Sequence, residues 1–256
     1  MILDQFRLDG RNAVITGASS GIGRAMAGFL AEAGAHVVLV ARRESELSAA
    51  ADEINSEQGK AAYVAADLGQ RDQLGAIAAR CKSRVESASI DIVVNAAGLN
   101  LREPPDSVTL ESWDATLNLN LAVPFFFTRE FVPEMCAREY GRVINIASLQ
   151  STRAFSNGLP YGASKGGVCQ LTRAMAEAWS RDGICCNALA PGFFPTELTA
   201  PVFDDPTSRE HFAQQTAIGR NGKLADLAGV TVFFAAAASN YITGQTLAVD
   251  GGFTAK

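Results

Sequence analysis

The sequence is poor in the residues that most metal and disulfide sites require. It has two histidines and five cysteines among 256 residues. The cysteines are odd in number and irregular in spacing, and none forms a zinc-type cluster with histidine or carboxylate; they are Cys81, Cys136, Cys169, Cys185 and Cys186. We therefore expect reduced thiols packed as small apolar side chains, and no catalytic metal.

Long apolar runs and blocks of one charge are also missing. No stretch approaches ~18 apolar residues, so we expect no membrane-spanning helix. Residues 1–10 carry Asp4, Arg7 and Asp9 and lack the apolar core of a signal peptide. The net charge of −5 comes from interspersed residues, without the basic patch of a nucleic-acid or anionic-membrane surface. These absences disfavour a secreted, membrane or nucleic-acid-binding protein, and we expect a cytoplasmic one.

The sequence does contain a regular alternation of short β-branched runs and helical patterns. The predicted strands are Asn12–Thr16, Val37–Val40, Ala61–Ala65, Ile90–Asn95, Gly141–Ala147, Ile184–Leu189 and Thr246–Val249. The predicted helices are Gly21–Ala33, Glu44–Gln58, Gln70–Val85, one or two within Thr109–Arg138, Gly162–Arg181 and Lys223–Ala237. This alternation predicts an α/β fold, a single doubly wound Rossmann domain over residues 1–256 with a parallel seven-stranded sheet and helices on both faces.

One segment has no clear periodicity. Pro191–Pro206 is the longest such stretch, and long loops inside compact domains are usually functional or mobile. We expect the region of about 191–215 to form a lid over the substrate.

The first strand runs directly into a glycine-rich loop, TGASSGIG, over Thr16–Gly23. Glycine allows positive φ and close approach of the backbone to a ligand, and the following helix N-terminus offers free N–H groups to phosphate. A glycine cluster between a first strand and a first helix predicts a dinucleotide site. The cofactor contacts expected here are Gly17, Ser19, Ser20, Gly21, Ile22 and Gly23.

The end of the second strand bears on the choice of cofactor. NAD sites usually carry Asp or Glu there for the ribose hydroxyls, whereas this strand ends in Ala41-Arg42-Arg43. Arg42 can pair with a 2′-phosphate in a charge-assisted bond. The sequence therefore favours NADP(H), with NAD(H) left open.

Tyr161 and Lys165 lie four residues apart on one face of a predicted helix. A nearby ammonium favours the phenolate, so Tyr161 is expected to exchange a proton with a substrate oxygen while hydride moves to or from a nicotinamide. Ser148 follows the fifth strand and can bond the reacting oxygen. Asn120 can hold a water that reaches Lys165, and the small residues of Asn95–Gly98 leave room for the cofactor.

These motifs together resemble the short-chain dehydrogenase/reductase family over essentially the full length. The matching pieces are Thr16–Gly23, Asp67-Leu68, Asn95–Gly98, Trp113-Asp114 with Asn120, Ser148, Tyr161 with Lys165, Asn187 with Pro191-Gly192, and Val249–Gly252. The resemblance implies a tetrad of Asn120, Ser148, Tyr161 and Lys165, and a homotetramer. It implies cofactor contacts from Asp67, Leu68, Asn95, Ala96, Gly98, Tyr161, Lys165, Pro191, Gly192 and Thr196. Ala96 departs from the pattern, which more often has a second asparagine there.

Within the family, several stretches are similar to sugar-acid dehydrogenases of the gluconate 5-dehydrogenase and deoxygluconate dehydrogenase kind. That similarity implies a keto-sugar acid or related polyol, whose carboxylate Arg102 or Arg153 would bind. Gln150 and Phe193 are further candidate substrate contacts. A 3-oxoacyl-carrier-protein reductase is the alternative. A non-catalytic cofactor-binding regulator should have lost Tyr161 or Lys165, and both are present.

Overall fold

Seven parallel strands form one sheet through the centre of the computed structural model, which describes residues 1–256. They are β1 (Asn12–Thr16), β2 (His36–Ala41), β3 (Lys60–Ala65), β4 (Ile92–Asn95), β5 (Gly141–Ile146), β6 (Ile184–Pro191) and β7 (Thr246–Val249). Their order is β3-β2-β1-β4-β5-β6-β7, so the order reverses between β1 and β4. Open α/β sheets bind ligands at such a reversal, outside the carboxyl ends of the strands.

Ten helices connect and cover the strands. They are α1 (Gly21–Glu32), α2 (Glu44–Ser56), α3 (Leu74–Lys82), α4 (Leu110–Leu117), α5 (Val123–Arg129), α6 (Val132–Ala137), α7 (Leu159–Trp179), α8 (Ala200–Phe203), α9 (Pro206–Gln215) and α10 (Ala228–Ala235). Short 3-10 turns include Leu149–Ser151, Glu197–Thr199 and Leu224–Leu227. No helix is long and apolar enough to cross a bilayer.

The core lies on both faces of the sheet because successive strand residues point in opposite directions. In β2, Val37 and Leu39 pack into the cluster that includes α1, α2 and α10 residues. Val38 and Val40 pack into the opposite cluster, with residues of α3, α5 and α7. The single doubly wound Rossmann domain with seven parallel strands predicted from the sequence is therefore confirmed.

Several element boundaries differ from the sequence prediction. The predicted strand Ile90–Asn95 begins at Ile92, and the predicted helix Lys223–Ala237 is a 3-10 turn followed by α10. The segment predicted as irregular, Pro191–Pro206, contains a 3-10 turn and α8. Local hydrogen bonding in these short turns gives no repeating apolar pattern for the sequence to reveal.

The helical region predicted over Thr109–Arg138 is divided into α4, α5 and α6. A π-helical segment, Asn118–Ala122, joins the first two. Pro124 explains the change of pitch, because proline has no N–H to donate and its ring clashes with the carbonyl four residues earlier, here that of Asn120. The wider turn places Asn120 on the inner side of the helix, where its side chain is buried.

A buried chain of polar side chains fixes α7 against the sheet. The Asn95 amide donates to Asn145 Oδ1 at 2.9 Å, and the Asn145 amide donates to Thr172 Oγ1 at 2.9 Å. Asn95 also donates to Thr128 Oγ1 on α5 at 3.0 Å. Buried polar groups that find partners in this way specify one packing arrangement. The chain therefore sets the position of α7 relative to β4 and β5.

Candidate active site

A cavity of about 850 Å³ opens at the carboxyl ends of the strands. It runs between the glycine loop, the ends of β3, β4 and β5, the start of α7 and the segment after β6. Most of the residues predicted from the sequence line it: Gly17, Ser19, Ser20, Gly21, Ile22, Gly23, Arg42, Asp67, Leu68, Ala96, Gly98, Arg102, Ser148, Gln150, Tyr161, Lys165, Pro191, Gly192, Phe193 and Thr196. Tertiary structure thus brings both groups of predicted residues, the loop and the tyrosine pair, into one space.

The glycine loop is pressed against the end of β4, which explains its composition. Gly17 has φ +67°, and a Cβ there would lie 2.8 Å from the Ala96 carbonyl oxygen. A Cβ on Gly23 would lie 2.5 Å from the Gly17 carbonyl oxygen. Thr16 Oγ1 accepts bonds from the Ala96 and Ala97 N–H groups, each at 3.0 Å, and so joins the loop to β4.

The residues of this end of the cavity fit a dinucleotide. The first N–H groups of α1 have no acceptor within the helix, and the helix dipole makes that end positive. Gly17 and Gly23 keep the backbone of the loop free of side chains at two positions, and a Cβ at either one would clash with backbone. Asp67 and Leu68, which the family resemblance implies as cofactor contacts, line the cavity beyond the end of β3.

Two serine hydroxyls organise the other end of the cavity. Ser148 Oγ accepts from the Gln150 N–H at 3.1 Å and caps the 3-10 turn that follows β5. Ser151 Oγ accepts from the Ser148 N–H at 3.2 Å and donates to the Lys165 carbonyl at 2.8 Å. Ser151 therefore links the backbone of two predicted site residues, a role that no sequence signal indicated.

Burial controls the titration of Tyr161 and Lys165. Loss of hydration raises the pKa of Tyr161, while a hydrogen bond from Ser148 and the charge of Arg102 oppose this rise. Burial lowers the pKa of Lys165 to about 8. Its ammonium lies 5.6 Å from the Tyr161 ring centroid and donates to the Ile146 carbonyl at 2.6 Å. From the sequence we expected Lys165 to lower the pKa of Tyr161, but desolvation is the larger effect in this cavity.

Three predicted residues do not line the cavity. The Asn95 amide donates to Asn145 and Thr128 within the buried polar chain between the sheet and α5. The Asn120 amide donates to the Leu99 carbonyl at 2.9 Å and its Oδ1 accepts from the Leu99 N–H at 2.9 Å, so it fixes the loop after β4. Arg153 points away and donates to the Lys256 carbonyl at 2.7 Å. This arrangement favours neither a cofactor contact from the Asn95 side chain nor a substrate contact from Arg153. The role of holding a water, predicted for Asn120, stays a prediction.

Asn120 is still connected to the site through a neighbour. Its amide donates to Ser164 Oγ at 3.1 Å, and Ser164 Oγ donates to the Tyr161 carbonyl at 2.7 Å. The position of Tyr161 therefore depends on the π-helical segment that carries Asn120.

Aromatic rings occupy the end of the cavity nearest the segment after β6. Phe193 and Phe212 stack with centroids 4.0 Å apart, and Phe155 lies 5.9 Å from Phe193. All three line the cavity. Phe253, from the C-terminal turn, packs on Phe155 at 6.2 Å. The sequence did not indicate that these four rings meet, because they come from distant positions in the chain and give no local pattern.

The structure has no group of three or more histidine, cysteine, aspartate or glutamate side chains placed to hold a metal ion.

The chain is similar to known proteins along its whole length. A family model described as "Enoyl-(Acyl carrier protein) reductase" matches residues 17–254. Gluconate 5-dehydrogenase of Gluconobacter oxydans is 37% identical over 98% of this chain and 97% of its own. The 2-dehydro-3-deoxy-D-gluconate 5-dehydrogenase of Escherichia coli is 36% identical over 100% of both chains.

Solved structures have the same fold. A gluconate 5-dehydrogenase from Burkholderia cenocepacia, crystallised with NADP and tartrate, superposes with a TM-score of 0.94 at 40% identity, covering 100% of both chains. The glycine loop and the Ser148, Tyr161 and Lys165 cluster lie in one cavity, and the similarity spans the entire chain. The protein therefore belongs to the short-chain dehydrogenase/reductase family, oxidoreductases that interconvert a ketone and a secondary alcohol with a nicotinamide cofactor.

Proposed function

We propose that this protein transfers hydride between NADP(H) and a keto group or secondary alcohol of a sugar acid or related polyol. The observation that carries the proposal is the single cavity in which the glycine loop, Ser148, Tyr161 and Lys165 meet. Similarity to gluconate and deoxygluconate dehydrogenases supports the substrate class. Tyr161 is the proposed proton-transfer residue.

In the direction of reduction, the raised pKa keeps Tyr161 protonated at neutral pH, so its phenol donates a proton to the carbonyl oxygen. Ser148 donates a hydrogen bond to the same oxygen and stabilises the charge that develops there. The nicotinamide, when bound, supplies or accepts the hydride. In the direction of oxidation Tyr161 must first lose its proton to solvent. The phenolate, stabilised by the ammonium of Lys165, then takes up the alcohol proton.

Lys165 has a second proposed role as the partner of the nicotinamide ribose. Its pKa of about 8 leaves most of the population charged at pH 7. The glycine loop and α1 N-terminus would hold the pyrophosphate, Asp67 and Leu68 the adenine, and Pro191, Gly192 and Thr196 the nicotinamide end. Ala96 and Gly98 would line the part of the cavity that holds the cofactor.

Arg102 is the proposed partner of the substrate carboxylate. Arg102 lines the same cavity as Tyr161, so its guanidinium is placed to orient a small acid beside the phenol. It donates one bond to the Leu198 carbonyl at 3.1 Å and leaves other N–H donors for a ligand. Gln150 and Phe193, which also line the cavity, are further proposed contacts of the substrate. Arg153 is not included, because its guanidinium bonds Lys256 outside the cavity.

The rings of Phe155, Phe193 and Phe212 favour a second candidate substrate. Hydroxyl groups buried against ring faces lose hydration without gaining hydrogen bonds. An apolar acyl chain next to the keto group would gain from the same contact. A 3-oxoacyl thioester is such a substrate and is the alternative to a sugar acid.

One activity panel separates these candidates. We would follow NADPH oxidation with keto-sugar acids, an acetoacetyl thioester and simple cyclic ketones, and NADP⁺ reduction with the matching alcohols. The proposal expects the highest kcat/KM with a keto-sugar acid, and Arg102→Ala should raise KM for the acid more than for a neutral ketone. Higher kcat/KM with the thioester would replace the sugar-acid assignment by the alternative.

The proposed NADP(H) preference depends on the absence of a carboxylate at the end of β2 and on Arg42, which lines the cavity. NADPH should bind more tightly than NADH, and Arg42→Ala should reduce the difference because the 2′-phosphate loses a cationic partner. Fluorescence titration with both cofactors measures this. Equal dissociation constants in the parent protein would contradict the preference.

We also propose that the enzyme is a cytoplasmic homotetramer. All five cysteines are free thiols, including the adjacent buried Cys185 and Cys186, which fits a reducing compartment. Half-buried aromatic residues on the outer face of α5 and α7, among them Phe125 stacked on Trp179, offer apolar surface for a second subunit.

A further inference from the structure

An ion pair joins the turn between β2 and α2 to the segment after β6. The Arg43 guanidinium donates two bonds to the Glu197 carboxylate, each at 2.9 Å. The same guanidinium donates to Ser19 Oγ at 3.1 Å and to Ser20 Oγ at 3.0 Å. Arg43 and Glu197 are 154 positions apart in the sequence, so only the fold brings them together.

The pair lies at the edge of the cavity rather than on an unrelated surface. Arg43, Glu197, Ser19 and Ser20 all line the cavity. The residue before Glu197 approaches the glycine loop as well, since a Cβ on Gly21 would lie 3.1 Å from the Thr196 side chain. The segment after β6 therefore packs against the glycine loop, which is the proposed binding site of the cofactor pyrophosphate.

The bonding of Arg43 resembles the bonding of a phosphate site. A guanidinium presents two parallel N–H donors that fit a carboxylate or a phosphate equally well in geometry. Glu197 occupies that pair of donors, and the hydrogen bonds from Arg43 and from Ser20 lower the pKa of its carboxyl group, so Glu197 is anionic at neutral pH. A cofactor phosphate that approaches Arg43 must displace this carboxylate or lie beside it.

We propose that Glu197 is a specificity-determining residue that competes with the 2′-phosphate of NADP(H) for Arg43. The inference rests on the proposed cofactor site but not on the identity of the substrate. NADH has no 2′-phosphate and leaves the Arg43–Glu197 pair intact. NADPH must break the pair or accept repulsion from Glu197. Glu197 therefore reduces the proposed preference for NADPH over NADH, to which Arg43 would contribute beside Arg42.

Removing the Glu197 charge tests this directly. In Glu197→Gln the guanidinium stays in place without a competing anion, so the dissociation constant for NADPH should fall about fivefold, the upper range for an exposed pair. The dissociation constant for NADH should change by less than about twofold. Both are measured by titrating nucleotide fluorescence at low and high salt, and the NADPH gain should shrink as salt screens the charges.

Two further variants make the result specific. Glu210→Gln removes the same charge from α9, where Glu210 contacts Gln214 and not the cavity, and should leave both constants unchanged. In an Arg43→Ala background, Glu197→Gln should no longer affect NADPH. An equal change in the dissociation constants for NADPH and NADH would show that the ion pair affects dinucleotide binding without regard to the 2′-phosphate. No change in either constant would show that the pair has no role in cofactor binding. Either result overturns the inference. Loss of all nucleotide binding by the parent protein would instead overturn the proposed function.

Discussion

Lys165 illustrates, at the scale of one residue, how a functional group costs stability. Its ammonium is buried and has one protein acceptor, the Ile146 carbonyl, and no carboxylate partner. An ordinary core would exclude such a charge. The sequence places it there because the spacing from Tyr161 on α7 makes both side chains face the cavity.

This burial predicts a pH-dependent stability. The folded-state pKa of Lys165 is about 8, below its usual 10.5, so the unfolded chain binds more protons between these values and stability rises with pH through that window. The unfolding free energy of the parent relative to Lys165→Met should increase by at most ~3 kcal/mol from pH 7 to 10.5. Melting temperatures of the two proteins across this range measure the difference. A difference that does not change with pH would contradict the assignment.

The Tyr161 hydroxyl is the atom on which the proposed chemistry depends. Tyr161→Phe removes only that oxygen and keeps the ring packing, so kcat should fall at least ~10²-fold while NADPH binding stays near the parent value. Ser148→Ala should lower kcat less, again with cofactor binding retained. Steady-state turnover and nucleotide titration measure both effects.

Tyr241→Phe is the matched control, because Tyr241 is fully exposed and does not line the cavity. It should keep parent activity. If Tyr161→Phe retains more than about a tenth of the parent rate, Tyr161 is not the proton-transfer residue.

At the scale of elements, the segment 191–215 contrasts with the rest of the fold. It joins the buried strand β6 to the exposed helix α9 through a 3-10 turn and the short α8. Its links to the body include the Arg43–Glu197 pair, the bond from Arg102 to the Leu198 carbonyl and the contact of Phe193 with Phe155. A segment with few buried contacts usually has a low local stability.

We therefore predict that this segment acts as a lid. Backbone amides within 191–215 should exchange hydrogen faster than those of β5 in the free protein, and should slow with cofactor and slow further with cofactor plus substrate. Hydrogen exchange with mass detection measures this. Helix α3, on the opposite face from α1, serves as an internal control that should not respond. Exchange in the segment that no ligand alters would argue against a lid.

At the scale of the whole molecule, apolar surface remains uncovered. Phe125 stacks on Trp179 with centroids 6.0 Å apart on the outer side of α5 and α7, and both rings are only half-buried. The edge strand β7 exposes 43% of Leu247. An unpaired strand edge and a helix face of this kind invite association with another copy.

The homotetramer prediction follows from these surfaces and from symmetric two-fold contacts. Four 27.0-kDa chains should appear as one species by light scattering at micromolar concentration. The mass should stay constant over a tenfold dilution, since apolar interfaces of this type are stable. A monomeric mass at micromolar concentration would contradict the prediction.

Local chemistry explains what could be predicted from the sequence alone. The alternation of short apolar runs with amphipathic segments predicts a parallel sheet covered on both faces, because each pattern repeats within a few residues. TGASSGIG marks a backbone shape that only glycine permits at Gly17 and Gly23. The four-residue spacing of Tyr161 and Lys165 places them on one helix face. These features depend on residues that are close in the sequence, so they can be predicted from the sequence alone.

Only the tertiary structure decided the features that join distant segments. Glu197 reaches Arg43 across 154 positions, the four phenylalanines meet from separate segments, and Asn120 turns inward to Leu99 because Pro124 widens the helix. The direction of the Tyr161 pKa shift belongs to the same class, since desolvation depends on everything packed around the phenol. Sequence spacing carries no information about such contacts, because their partners come from different elements and their energies depend on burial that the folded chain creates.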